Sequence, residues 1–132
     1  MARYTSLQEV RQKRWIMILA NKLVYQDDLW RWEATARANM AWKLLGWLGM
    51  GIVYFKYRKK NGDVRTARGT LKSGISNRFD NYVATGRKKH RNNGNTDGTY
   101  VYWDLDSDDF RSFRAADLIE ITKWEDYTES RE

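Results

Sequence analysis

At Ile52 the apolar period of this chain changes, and no other feature of the sequence limits its fold as strongly. Upstream, apolar residues return every three or four positions; from Ile52 onward they alternate with polar ones. A period near 3.6 belongs to a helix packed on one side, and a period of two to a strand with one face buried. A chain carrying both in that order reads as helices followed by antiparallel strands.

The helical part divides in two. Ser6 is placed to cap, with Glu9 three residues later as in a capping box, and a first helix runs from Ser6 to about Tyr25. Asp27 or Asp28 is a second cap candidate. The Ala-rich segment from Leu29 to Leu48 repeats apolar residues at Trp30, Ala34, Ala38, Ala41, Leu45 and Leu48, which predicts a second helix stopped near Gly46, Gly49 and Gly51.

The stretch IVYFKYRKKNGDVRTARGTL, Ile52 to Leu71, is a hairpin whose register can be argued. A two-residue Asn61-Gly62 turn sets Arg58 opposite Arg65, a like-charge pair that costs stability unless an anion lies between them. A three-residue loop with Gly62 left-handed instead pairs Lys59 with Asp63, Tyr57 with Arg65, Phe55 with Ala67, Tyr54 with Arg68 and Val53 with Gly69. The second register is preferred, because it gives one face an apolar patch and the turn an opposite-charge pair.

Residues 72–99 read as a long basic loop, and Tyr100 to Leu105 and Phe110 to Arg114 as a second hairpin around Asp106 to Asp109. AADL, Ala115 to Leu118, fits one helical turn, and Ile119 to Thr122 a last short strand. The predicted class is α+β: an N-terminal two-helix arm (1–50) followed by a five-stranded SH3-like β-barrel (51–124) and a polar tail (125–132). Phe55, Trp103 and Phe113 are assigned to the barrel core.

Composition narrows the function classes. With no cysteine, disulfides and thiolate metal sites are unavailable, and His90, the single histidine, lies in the basic loop, so no catalytic triad can be assembled around a fixed base. The acidic run Asp104 to Asp109 fails as a calcium loop: counted from Asp104, position six is Asp109 rather than Gly and position twelve is Ala115 rather than Glu. A magnesium-dependent nuclease using Asp104 and Asp106 is the weakest of the readings. No catalytic residue, metal ligand or cofactor is therefore assigned. The best apolar run, Trp15 to Ala20, is too short to span a bilayer, which predicts a soluble cytoplasmic protein without a membrane role.

The net charge of +7 is unevenly spread: residues 1–55 carry +4, residues 56–91 carry +10, residues 92–103 carry −1 and residues 104–132 carry −6. Such a basic block is expected to attract a polyanion, nucleic acid first, although strand lysines also keep sheet edges soluble and basic and acidic segments can pair internally. The candidate nucleic-acid-binding residues are Lys56, Arg58, Lys59, Lys60, Arg65 and Arg68 on the hairpin and Arg87, Lys88, Lys89 and Arg91 in the loop, with Tyr54 and Tyr57 placed to stack on bases. Trp30 and Trp32 point in different directions on a helix, so one of them is a candidate contact for a protein partner or a second copy.

The segments VYFKYRKKNGDVRTARGTL and YVYWDLDSDDFRSFRAADLIEI, with Ala41 to Leu44 ahead of them, resemble an SH3 β-barrel family of unknown function from gut anaerobes, their phages and mobile elements. The shared positions are Phe55 and Tyr57, Asn61-Gly62, Arg65 to Leu71, Trp103-Asp104 and Arg111 to Phe113. A looser likeness is to the WYL module, a barrel of bacterial regulators that senses ligands or nucleic acid. The resemblance implies the barrel and a phage or mobile-element setting. Three function classes follow: a non-enzymatic nucleic-acid binder, a protein-interaction or virion-associated module that oligomerises or docks through its arm, and a metal-dependent nuclease.

Overall fold

The computed structural model describes residues 6–85, 92 and 94–128. Helices α1 (Leu7–Asp27) and α2 (Arg31–Leu48) precede strands β1 (Gly51–Arg58) and β2 (Val64–Thr70). A third helix, α3 (Asn77–Ala84), comes next, then β3 (Thr99–Asp104), β4 (Asp109–Arg114), a 3-10 turn at Ala115–Asp117 and β5 (Leu118–Asp126).

The first helix starts as its capping residues require: Glu9 N–H donates to Ser6 Oγ at 3.1 Å, and Ser6 N–H donates to Glu9 Oε1 at 3.0 Å. It ends at Asp28, whose left-handed backbone (φ 58°) closes the last turn on the Leu23 carbonyl. Asp28 is thus a C-cap rather than the start of the next helix. Trp30 holds the N-cap position of α2 without a side-chain bond, so it stands outside the helix. Trp15, Leu19 and Leu23 of α1 and Ala34, Ala38 and Ala41 of α2 are buried, the alanines letting the two axes approach closely.

The opening hairpin adopts the three-residue register. Lys59 N–H donates to the Asp63 carbonyl at 2.7 Å, Gly62 sits at φ 94°, and Tyr57, Phe55 and Val53 pair with Arg65, Ala67 and Gly69. Gly62 supplies the left-handed position and Asn61 Oδ1 accepts the Asp63 N–H at 3.0 Å, so local chemistry alone sets the turn.

Two expectations change. The 72–99 segment is not simply a loop: Ser76 caps α3, whose Phe79 packs on Trp103, with ring centroids 5.5 Å apart, and whose Tyr82 packs edge-on against Phe110 at 4.9 Å. The helix is short and its signal was submerged in polar residues. The five strands form one antiparallel sheet in the order β4-β3-β2-β1-β5, leaving β4 and β5 as edges, so no strand pair closes it into a barrel among the described residues. Pairing is thinnest between β2 and β3, where only Gly69 with Asp104 and Thr70 with Trp103 are matched. Beyond them the Asn92 side chain takes the place of a strand, accepting from Val101 N–H at 2.8 Å and donating to its carbonyl at 3.0 Å. The last strand is longer than expected and takes in Glu125 and Asp126. Trp47 of α2 stacks on its Trp124 at 5.0 Å, which docks the arm on the sheet.

Inside the sheet Phe55, Tyr57, Tyr100, Tyr102 and Phe113 form one aromatic core, with Phe55 edge-on to Tyr102 at 5.1 Å and to Phe113 at 5.6 Å. Burial pushes the Tyr100 phenol up to about 12; burial, then the bond to Tyr57, pushes Tyr102 further the same way. The unfolded chain ionises these phenols first, near pH ~10. Their contribution to stability is therefore complete below that pH and drains away toward 12. Urea midpoints should hold from pH 8 to 9.5 and fall steeply above about 10.

Gly51 meets another constraint, since a Cβ there would stand 1.8 Å from the Glu125 carbonyl oxygen, which is backbone and cannot swing away. Gly51→Ala should prise β5 from β1 and cost about 3 kcal/mol or more, read by thermal melting.

Candidate nucleic-acid interface

Ion pairing, more than the pleat, sorts the cations of the first hairpin into two sets. Tyr54, Lys56 and Arg58 share one face of β1, whereas Tyr57 and, across the ladder, Arg65 share the other. On the first face most of the charge is spent within the protein. Lys56 pairs with Glu120 at 3.4 Å and Arg68 with Asp106 at 3.2 Å, and Tyr54 already lies under the Lys123 ammonium at 5.0 Å.

The second set gathers around the hairpin tip and takes in Arg58, the last residue of the first face. Arg58, Lys59, Lys60 and Arg65 make no ion pair among the described residues, and together they line one wall of an open groove of about 530 Å³. The opposite wall is the free edge of β4, bearing Arg111 and Arg114. Arg111 Nε is held by buried Asp104 at 2.6 Å, a bond that raises its pKa further, so the guanidinium stays charged. Arg114 is held by Asp27 of α1 and, at 3.7 Å, by Asp117, the one carboxylate that lines the groove. Cations from the hairpin tip and from the edge strand β4 thus line one groove.

Two sequence expectations need correcting. Tyr57 is buried, and its hydroxyl bonds that of Tyr102 at 2.8 Å, so it supports the groove floor and presents no face to a base. The hairpin cations do not form one patch, because Lys56 and Arg68 are turned away and paired. Arg87, Lys88, Lys89 and Arg91, like His90, lie outside the described residues. Arg111 and Arg114 were not singled out as binding residues, although the R-x-x-R spacing on a strand was legible; only the fold brings that strand to the hairpin tip.

The acidic turn is also accounted for locally. Asp104 and Asp106 hold Arg111 and Arg68, and Asp108 Oδ1 accepts from Trp103 Nε1 and Ser76 Oγ, both at 3.0 Å. No cluster of three or more His, Cys, Asp or Glu able to hold a metal occurs among the described residues. Trp30 and Trp32 are 73% and 72% exposed, so both, rather than one, are open to a partner. No described helix is long and apolar enough to cross a membrane.

No curated protein and no solved structure matches the chain. One family's sequence model does match, over residues 41–119, a span that runs from within α2 through all of β1 to β4 and into β5 and covers more than half the chain; the protein belongs to the WYL_2 family, an Sm-like SH3 β-barrel fold.

Proposed function

We propose that this protein is a non-enzymatic nucleic-acid-binding protein whose sheet curls as an SH3-like barrel, with the open seam between β4 and the β1–β2 hairpin receiving the phosphate backbone. The observation that carries this reading is the groove itself: Arg58, Lys59, Lys60 and Arg65 on one wall without carboxylate partners, facing Arg111 and Arg114 on the other. Cations left unpaired by the fold are the ones that release counterions when a phosphate arrives. With Tyr57 buried and Tyr54 beneath Lys123, recognition rests on phosphates more than on stacked bases, which implies weak sequence preference. The side chains of Asp104 and Asp106 are committed to arginines, which argues against hydrolytic chemistry at that turn.

Fluorescence anisotropy with single- and double-stranded DNA and RNA tests this directly. Binding that weakens linearly on a log-log plot as salt rises is the expected result; no binding to any of the four at low salt would rule the reading out.

A further inference from the structure

The arm carries a second surface that the sheet does not use. Between α1 and α2 lies a groove of about 370 Å³ lined by Ile16, Met17 and Ala20, with Lys13 and Arg31 beside them and no carboxylate among the described residues there. It adjoins an apolar stripe on α1 that faces away from the core: Leu7, Val10, Met17, Ile18 and Tyr25 are all exposed, Met17 by 57%. The core side of the same helix is Trp15, Leu19 and Leu23, so α1 is apolar on two sides and only one is covered. A helix apolar on both sides is normally sandwiched. Trp32, at the start of α2 and next to Arg31, adds a large exposed aromatic beside the groove. The family match begins at residue 41, so this surface lies outside the matched fold.

Charge decides what covers it. Arg11, Arg14 and Lys22 stand exposed or half-exposed along the outer face of α1, and Lys13 joins them at the groove. The two carboxylates of α1 are committed elsewhere, Glu9 to the Ser6 cap and Asp27 to Arg114. A second copy on this face would set the same cation-rich surface, with Arg11, Arg14 and Lys22, against itself, which is repulsive. A nucleic acid would leave the apolar floor wet.

We infer that the α1–α2 groove docks an amphipathic helix from a protein partner, its apolar face on Ile16, Met17 and Ala20 and its flanks acidic, to complete a three-helix layer. This site is separate from the basic seam.

The test uses the full chain and two synthetic helices of about 18 residues, ~27 Å long, with leucines at i, i+3, i+4 and i+7 spacing and flanks of either glutamate or lysine. Calorimetric titration should show the glutamate helix binding at least about tenfold tighter than the lysine helix. Met17→Asp should abolish binding. The surface variant K13E/R31E should reverse the preference, an outcome that loss of folding cannot imitate. Equal binding of both helices, or none, overturns the proposal. Sedimentation showing a dimer dissociated by Met17→Asp overturns it in favour of a second copy, and loss of nucleic-acid binding in K13E/R31E overturns it in favour of a polyanion.

Discussion

Changing Arg58, Lys59, Lys60 and Arg65 together to glutamine is expected to remove most of the salt-dependent affinity for nucleic acid while leaving the fold intact. Glutamine keeps much of each side-chain stem, so packing is little disturbed. Only one described hydrogen bond is lost from these side chains, that of Arg58 to the Gly62 carbonyl, and it lies at the surface. Each phosphate contact contributes about 0.9 to the slope of log affinity against log salt, so four contacts amount to a change on the order of a hundredfold between roughly 50 and 200 mM salt. The variant should lose that share of the slope and keep only the part that Arg111 and Arg114 contribute. The comparison that gives this meaning is K56Q/R68Q, which removes two cations of the same hairpin that are already paired with Glu120 and Asp106. That variant should stay within about threefold of the parent, because exposed ion pairs carry little net free energy and no counterion release. If the two variants weaken binding alike, diffuse net charge rather than the groove holds the ligand.

Phe55→Ala is expected to be the most damaging single truncation in the sheet. Its ring is fully buried and touches Tyr57, Tyr102 and Phe113, so alanine leaves a cavity whose walls cannot collapse without breaking the Tyr57–Tyr102 hydroxyl pair. The cost is about 3–5 kcal/mol, a large share of the roughly 5–15 kcal/mol by which domains are stable. A fall of about 10–20 °C in melting temperature follows for a chain of this size. Tyr57 also lines the groove, with Tyr102 holding its hydroxyl from behind. Nucleic-acid binding should therefore fall in step with the folded fraction and recover when the variant is cooled, whereas the four-glutamine variant should stay folded and fail to bind.

Much of this fold was legible in the chain because it rests on short-range rules. Ser6 and Glu9 cap by side chains three residues apart, and Asn61-Gly62 sets its own turn, so the register of the first hairpin followed from the sequence. The assignment of Phe55 and Phe113 to the core followed from alternation; Trp103 is buried as well, but on the other face of β3, against Phe79 and Phe110. The SH3-type resemblance was right at the level of the fold family. Helix α3 was missed although Phe79, Tyr82 and Val83 stand at i, i+3 and i+4 behind a Ser76 cap, because a single turn of that period lies within a long polar segment; Phe79 packs it on Trp103 across the fold. Tyr57 was misassigned although it shares the covered side of Phe55, because its place near the hairpin tip opposite Arg65 read as exposed, and it is Tyr102, arriving from β3, that bonds its hydroxyl.

The site divides along the same line. The sequence by itself determined that residues 56–91 would be strongly basic and that a hairpin would display part of that charge. Only the tertiary structure decided which cations remain available. Glu120 comes from β5 and Asp106 from the β3–β4 turn, 64 and 38 residues from the lysine and arginine they neutralise, while Arg111 and Arg114 arrive from β4 to face the hairpin tip. Composition adds charges without regard to place, but an ion pair exists only where two groups lie within a few ångströms, and that proximity is set by strand order and by the free edge of β4 near the hairpin tip.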